Sequence, residues 1–448
     1  MKQGHRTDFL GQDPMFPLLL KMGIPAAVGM IVNALYNIVD TIFVGQGVGP
    51  LAIAALSIVF PVQMIISAIA QAIGVGTASI VSRKLGEKNH ERAAEAVGTA
   101  YTAVSAVTFL LVLILFAFTG PILRFFGASD ATMPYALSYT RIVGAGFFFF
   151  AMSMLMSNIM RAEGNPKVAM TSMLLGAGMN TILDPLFIFV LKMGVEGAAI
   201  ATVLSQMCST GFLLSVYLRK KSHLHLERRH FRPRLAIFGE SAILGLPAFI
   251  QSAGMSLLAL LVNTTLGRLG GDSAISTYGM NHKTIMIVIF PILGIVQGFQ
   301  PIAGYNFGAK NYHRVRQSLV VTGMTAFGVS LVGYVLMMFT PGLLVRLFTR
   351  DEALIASSAR ALRLMTLMVP LASLQIMGAT YFQAVGHRVQ SLLLGLSRQF
   401  IFLIPLIFLL SSLFGVDGVW LSYPIADFFS SMLTGTLLVR ELKKLGRS

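Results

Sequence analysis

Apolar stretches long enough to cross a bilayer follow one another along the whole chain, separated by short polar breaks. A helix rises 1.5 Å per residue, so about 20 such residues span a hydrocarbon core of about 30 Å. The spacing predicts an all-α, polytopic membrane protein of twelve transmembrane helices, near 15–44, 51–81, 94–119, 134–158, 167–191, 195–218, 238–266, 274–306, 314–340, 358–384, 389–412 and 416–438. Composition agrees: 55% of the 448 residues are hydrophobic and 12% are charged, too little polar surface to coat a water-soluble globule.

The net charge of +16 raises the possibility of a nucleic-acid partner, because Lys and Arg neutralise phosphates. Its distribution argues for topology instead. One side of the expected membrane receives Lys2, Arg6, Arg83, Lys84, Lys88, Arg92, Arg161, Lys167, the Arg219–Arg234 connector with Lys220 and Lys221, Lys310, Arg314, Arg316, Arg388, Arg440, Lys443, Lys444 and Arg447. The other side receives Arg124, Arg141, Lys192, Arg268, Arg346, Arg350, Arg360 and Arg363, with Lys21, Lys283 and Arg398 assigned to neither. The positive-inside rule then puts both termini in the cytoplasm of a plasma-membrane protein. The single cysteine, Cys208, lies within the sixth span and has no intramolecular disulfide partner. Residues 1–15 carry no pattern of a cleavable signal peptide.

The chain also repeats itself. A shift of 222 positions pairs Pro25 with Pro247, Gly45 with Gly267, Gly49 with Gly271, Gly86 with Gly308, Lys88 with Lys310, Asn89 with Asn311 and Gly164 with Gly386. One residue is then lost, and Gly194 matches Gly415 at a shift of 221. Such matches in one register mark a duplication. The expected organisation is an N-terminal six-helix bundle over 1–218, a cytoplasmic linker over 219–236 and a C-terminal six-helix bundle over 237–448. An even number of spans per half makes the halves parallel repeats about an axis along the membrane normal. The linker's His223, His225 and His230 form a weak metal pattern, because nothing nearby completes a ligand set.

An ionisable side chain at bilayer depth costs at least about 2.5 to 3.5 kcal/mol on insertion scales, so each needs a partner or a role. In the first span Asn33, Tyr36, Asn37 and Asp40 fall at i, i+3, i+4 and i+7, one stripe of an otherwise apolar helix. The fifth span places Met173, Ala177, Asn180 and Asp184 along a similar stripe, and the sixth adds Thr202 and Gln206. Two carboxyls with an amide and a hydroxyl can hold a proton or a hard cation such as Na⁺ through oxygen ligands. The alternative is that Asp40 and Asp184 only tie helices together by hydrogen bonds. The second half has Val262 at the position of Asp40 and no acid at that of Asp184; it offers Lys283 and Asp427, which are expected to pair, with His282 beside them. No phosphate-binding loop or metal-ligand set points to an enzyme.

The segment IPAAVGMIVNALYNIVDTIFVGQ (24–46), the loop pair KLGEKNHERA and NFGAKNYHRV, PIAGYNFGAKN (301–311) and MRAEGNPK (160–167) resemble the multidrug and toxic compound extrusion (MATE) family, most of all its bacterial small-drug exporters that lack acids in the C-terminal half. The resemblance implies two helical bundles and export of cationic or amphipathic compounds by alternating access against inward H⁺ or Na⁺, with no other cofactor. It implies a cation site at Asp40, Asn180, Asp184 and Thr202, and a substrate cavity lined by Asn33, Tyr36, Asn37, Tyr139, Asn158 and Met173. A monomer in the lipid bilayer is expected, with no nucleic-acid partner. A flippase of lipid-linked precursors is the alternative, for which a more cationic cavity than Lys283 and Arg398 provide is expected.

Overall fold

A computed structural model describes residues 7–219 and 222–446. The basic residues Lys2, Arg6, Lys220, Lys221 and Arg447 used in the topology count lie outside them. The first half contributes α1 (Met15–Gly47), α2 (Pro50–Gly86), α3 (His90–Ala117), α4 (Met133–Ala162), α5 (Pro166–Val190) and α6 (Gly194–Leu218). The stretch Leu235–Gly308 is 74 residues long, roughly 110 Å if straight and far more than one crossing needs. It breaks at Gly271, whose φ of 64° lies in the left-handed region that glycine enters without steric cost. This gives α7 (235–270) and α8 (272–308). After α9 (Tyr312–Phe339), α10 consists of Glu352–Thr366 and Val369–Ala384, bent by 49°. The stretch Arg388–Leu445 breaks in the same way at Gly415, φ 59°, into α11 (388–414) and α12 (416–445). Twelve crossings result among the described residues, as the hydropathy pattern predicts.

The duplication is written into the backbone. After α2 the chain closes a Schellman turn, with Lys88 N–H donating to Leu85 O, Asn89 N–H to Lys84 O, and Lys88 at φ 58°. After α8, Lys310 N–H donates to Phe307 O and Asn311 N–H to Asn306 O, with Lys310 at φ 56°. Each asparagine then caps the next helix: Asn89 Oδ1 accepts from Arg92 N–H at 3.0 Å and Asn311 Oδ1 from Arg314 N–H at 3.3 Å.

Contacts divide the chain into two compact units, one of residues 1–9 and Val28–Gly245, the other of Leu10–Ala27 and Leu246–Ser448. The expected cuts at 218 and 237 follow the repeat, whereas the contacts cut within helices, so α1 and α7 each begin in one unit and end in the other. Small residues allow this. In the second unit α1 lies on α8 so closely that a methyl group on Gly294 would overlap Ala27, and one on Gly298 would overlap Gly23. In the first unit the start of α7 lies on α2, where a methyl on Gly245 would overlap the Ala72 carbonyl and one on Gly76 that of Ser241. Ala72 and Gly76 are the repeat partners of Gly294 and Gly298, and Gly23 of Gly245. Close backbone approach through small residues is a general way for membrane helices to associate.

The connector after α6 is bound to the first unit. His230 is buried and meets Glu91 of α3 at 3.1 Å, Arg229 bonds the same carboxylate, and Arg234 pairs with Glu95. Glu163, fully buried just beyond α4, accepts from Ser222 Oγ at 2.6 Å, His223 N–H at 2.9 Å and the Tyr217 hydroxyl at 3.2 Å. Burial pushes its carboxyl up to about 7 in spite of these donors.

Candidate coupling and substrate site

The first unit brings the polar stripes of α1 and α5 together. Gly29 and Met173 meet on the seam, and Phe43 and Phe189 make an edge-to-face contact with centroids 6.2 Å apart. From Gly29 to Asp40 and from Met173 to Asp184 is the same eleven residues, about three turns on each helix. The two helices therefore run in register, and the two acids arrive at the same level.

Asp184 is fully buried and Asn180 nearly so, and Asn180 Nδ2 donates to Asp184 Oδ1 at 3.2 Å. Asp40 is half-buried, and its carboxyl lies within hydrogen-bond reach of that of Asp184. Two ionised carboxylates are acceptors only and have nothing to share. Consistent with that, Asp40 Oδ1, Asp184 Oδ2 and Asn180 Oδ1 are buried without a donor among the described residues. One proton between the carboxyls satisfies an oxygen of each. Pro185, which lacks an N–H, directly follows Asp184, and Leu186–Val190 then winds as a wider π-helix.

Tyr36 of α1 and Tyr139 of α4 stand within electrostatic reach of both acids. Tyr139 is 5% exposed and its hydroxyl stands within reach of that of Thr202 on α6, which donates to Ala198 O at 3.0 Å. Asp40, Asp184, Asn180, Tyr36, Tyr139 and Thr202 thus form one polar cluster. Asn33 and Asn37 are exposed on α1 and bond to each other, Asn37 Nδ2 donating to Asn33 O at 2.7 Å. Met173 lies three turns from Asp184. Asn158 is elsewhere: nineteen residues from Tyr139 on α4, about 28 Å along the axis, it accepts from Arg161 Nη2 at 2.8 Å and donates to Gln71 Oε1 at 3.1 Å.

In the second unit one expectation is corrected. Asp427, 1% exposed, is paired with Arg398, whose Nε lies 2.5 Å from Asp427 Oδ1. Lys283 is exposed on α8 and is not the partner. Both cations lie at bilayer depth in the sequence, and periodicity gives a residue's face without saying which neighbouring helix that face meets. Asp427 and Tyr423 occupy the repeat positions of Gln206 and Thr202.

The donor set at Asp40 and Asp184 is all oxygen and suits a proton or Na⁺. Among the described residues no group of three His, Cys, Asp or Glu side chains is placed to hold a metal ion, which includes the linker histidines.

The MatE family profile matches the chain twice, over residues 25–186 and 247–409, in step with the internal repeat. The Multidrug export protein MepA of Staphylococcus aureus (strain MRSA252) is 26% identical over 436 residues, 97% of this chain and 96% of that protein. The protein of the same name from Staphylococcus haemolyticus (strain JCSC1435) is 26% identical over 95% of this chain and 93% of its own length. Among solved structures, the outward-facing conformation of a multidrug resistance MATE family transporter of the MOP superfamily superposes with a TM-score of 0.91 at 26% identity, over 99% of both chains. A MATE crystallised with MaD3S gives 0.92 at 27% identity, again over 99% of both. By its doubled family match, its twelve helices in two lobes and its whole-length relatives, this chain belongs to the MATE family of multi-pass membrane transporters.

Proposed function

We propose that the protein is a secondary exporter of cationic or amphipathic small molecules, driven by protons that enter through the Asp40–Asp184 pair. One observation carries this reading: two carboxyls lie within hydrogen-bond reach of each other with no basic partner among the described residues, so a cation between them, read here as a proton, relieves their repulsion. With both ionised, repulsion at about 4 Å is on the order of 4 kcal/mol at a protein-like dielectric. Gain or loss of the proton therefore makes or breaks a contact between α1 and α5. A change of occupancy that favours one arrangement of these helices shifts the access state, whereas equal affinity for both shifts nothing. The relatives' name, Multidrug export protein, supports export over lipid flipping. The positive-inside bias supports cytoplasmic termini, and the chain acts as a monomer in the plasma membrane.

The test is transport by the reconstituted protein under imposed pH or Na⁺ gradients with a cationic dye as substrate. Dye movement driven by the pH gradient and accompanied by counter-flow of protons is expected. Dye movement that needs only Na⁺ assigns the oxygen cluster to that ion instead, and dye flux with no ion flux refutes antiport.

A further inference from the structure

Helix lengths fix the depth at which the connector lies against α3. This helix has 28 residues, and about 20 of them cross the hydrocarbon core. Counted back from Ala117, those 20 begin at Gly98. A methyl group on Gly98 would overlap the His230 carbonyl, and Thr102 Oγ1 donates to Phe231 O at 2.8 Å. The turn Arg228–Phe231 is therefore held where hydrocarbon gives way to headgroups. The side chains agree. Phe231 is 41% exposed, and Leu218 and Leu235, which end α6 and begin α7, are 74% and 84% exposed. Tyr101 of α3 stacks on Phe231 with centroids 6.2 Å apart and meets Tyr217 of α6 edge to face at 6.1 Å, an aromatic cluster typical of a membrane interface.

Four arginines follow one another between 228 and 234, and two of them are neutralised. Arg229 bonds Glu91 and Glu227, and Arg234 bonds Glu95. Arg228 and Arg232, both exposed, have no carboxylate partner among the described residues. We propose that Arg228 and Arg232 bind the phosphate of an anionic phospholipid in the leaflet that meets this end of α3, with Phe231 and Leu235 against its acyl chains. A guanidinium matches two phosphate oxygens at once. A soluble anion leaves the apolar side chains uncovered, and a zwitterionic lipid brings a cation that opposes the arginines. The bonds to α3 hold the turn in place before lipid arrives, which limits the ordering cost of binding. The site lies apart from the acid cluster and gives membrane composition a hold on the connector.

The test is equilibrium binding of acyl-labelled phosphatidylglycerol and of phosphatidylcholine with the same chains to the purified full-length protein in neutral detergent. One arginine near an anionic headgroup contributes about fivefold, so wild type is expected to prefer phosphatidylglycerol about 25-fold. Arg228→Gln with Arg232→Gln, at exposed positions without ion pairs, lowers that preference about tenfold or more. Arg268→Gln with Arg350→Gln, which removes the same charge from exposed positions on the opposite side of the expected membrane, leaves it unchanged. Leu235→Ser weakens both lipids alike. A wild-type ratio near one, an undiminished ratio in the Arg228 and Arg232 variant, an equal fall in the Arg268 and Arg350 variant, or displacement of the lipid by inorganic phosphate at the lipid's own concentration overturns the proposal.

Discussion

The carboxyl of Asp40 on α1 lies within hydrogen-bond reach of that of Asp184 on α5, at the same level of two helices that run in register. Neither acid has a basic partner among the described residues. In the second unit Asp427 does have one, Arg398. The two lobes share a backbone plan, yet the first holds two neighbouring acids with no basic partner among the described residues and the second a neutral ion pair.

Replacing either acid by its amide removes the shared proton while keeping size and hydrogen-bonding capacity. Asp40→Asn and Asp184→Asn are each expected to lower pH-driven dye export at least tenfold, with normal insertion and monodispersity. Export at the wild-type rate by both reconstituted variants contradicts the coupling role.

Tyr139 and Thr202 support the pair from α4 and α6. Tyr139→Phe removes a hydroxyl that stands beside Thr202 and both acids, at the scale of one hydrogen bond, about 0.5 to 1.5 kcal/mol. A twofold to tenfold fall in export is expected, milder than for either acid. An effect as large as that of Asp40→Asn places Tyr139 in the proton path itself.

The helix exchange between units predicts matched sensitivity at positions related by the repeat. Gly76→Val and Gly298→Val, 222 positions apart, each force a side chain into backbone that already touches, and overpacking costs about 1 to 3 kcal/mol. Both are expected to lower the thermal midpoint in detergent. Gly178→Ala, inside α5 where an added Cβ meets nothing within 4 Å, is expected to leave it unchanged or raise it, because alanine favours the helix.

Glu163 makes the connector's attachment pH-dependent. Its carboxyl is raised from 4.5 to about 7 by burial, so between these values the folded state binds more protons than the unfolded one. Stability contributed by this group is therefore complete below about 4.5 and falls as pH rises toward 7. Trypsin cleavage within residues 219–234 is expected to increase across that window in wild type. Scaled to trypsin's own activity at each pH, the rise is expected in wild type and absent in Glu163→Gln.

Much of this is legible in the sequence. Hydropathy alone locates the crossings, because lipid demands long apolar helices, and the 222-residue shift finds Gly271 and the capping asparagines Asn89 and Asn311, with the 221-residue shift finding Gly415, because chain reversals need particular backbone angles. The stripe Asn33, Tyr36, Asn37, Asp40 is readable for the same reason: a polar face cannot sit in hydrocarbon. What stayed hidden depends on which helices are neighbours. Lys283 and Arg398 are equally plausible partners for Asp427 in one dimension, and three-dimensional packing chooses Arg398. The exchange of α1 and α7 between units follows from small-residue contacts at Gly23, Gly245, Gly294 and Gly298, whose glycines are visible in the sequence but whose partners are not. The separation of Asn158 from Tyr139 was there to be read, since nineteen residues on one helix cannot lie at one level.

The central claim is that Asp40 and Asp184 hold one proton whose occupancy is linked to substrate. Its most direct test is proton exchange on mixing a cationic substrate with the purified protein in weakly buffered solution near neutral pH. The account predicts release of about one proton per bound substrate in wild type and none in Asp40→Asn or Asp184→Asn. Substrate binding without proton release in wild type, or undiminished release in both variants, contradicts it.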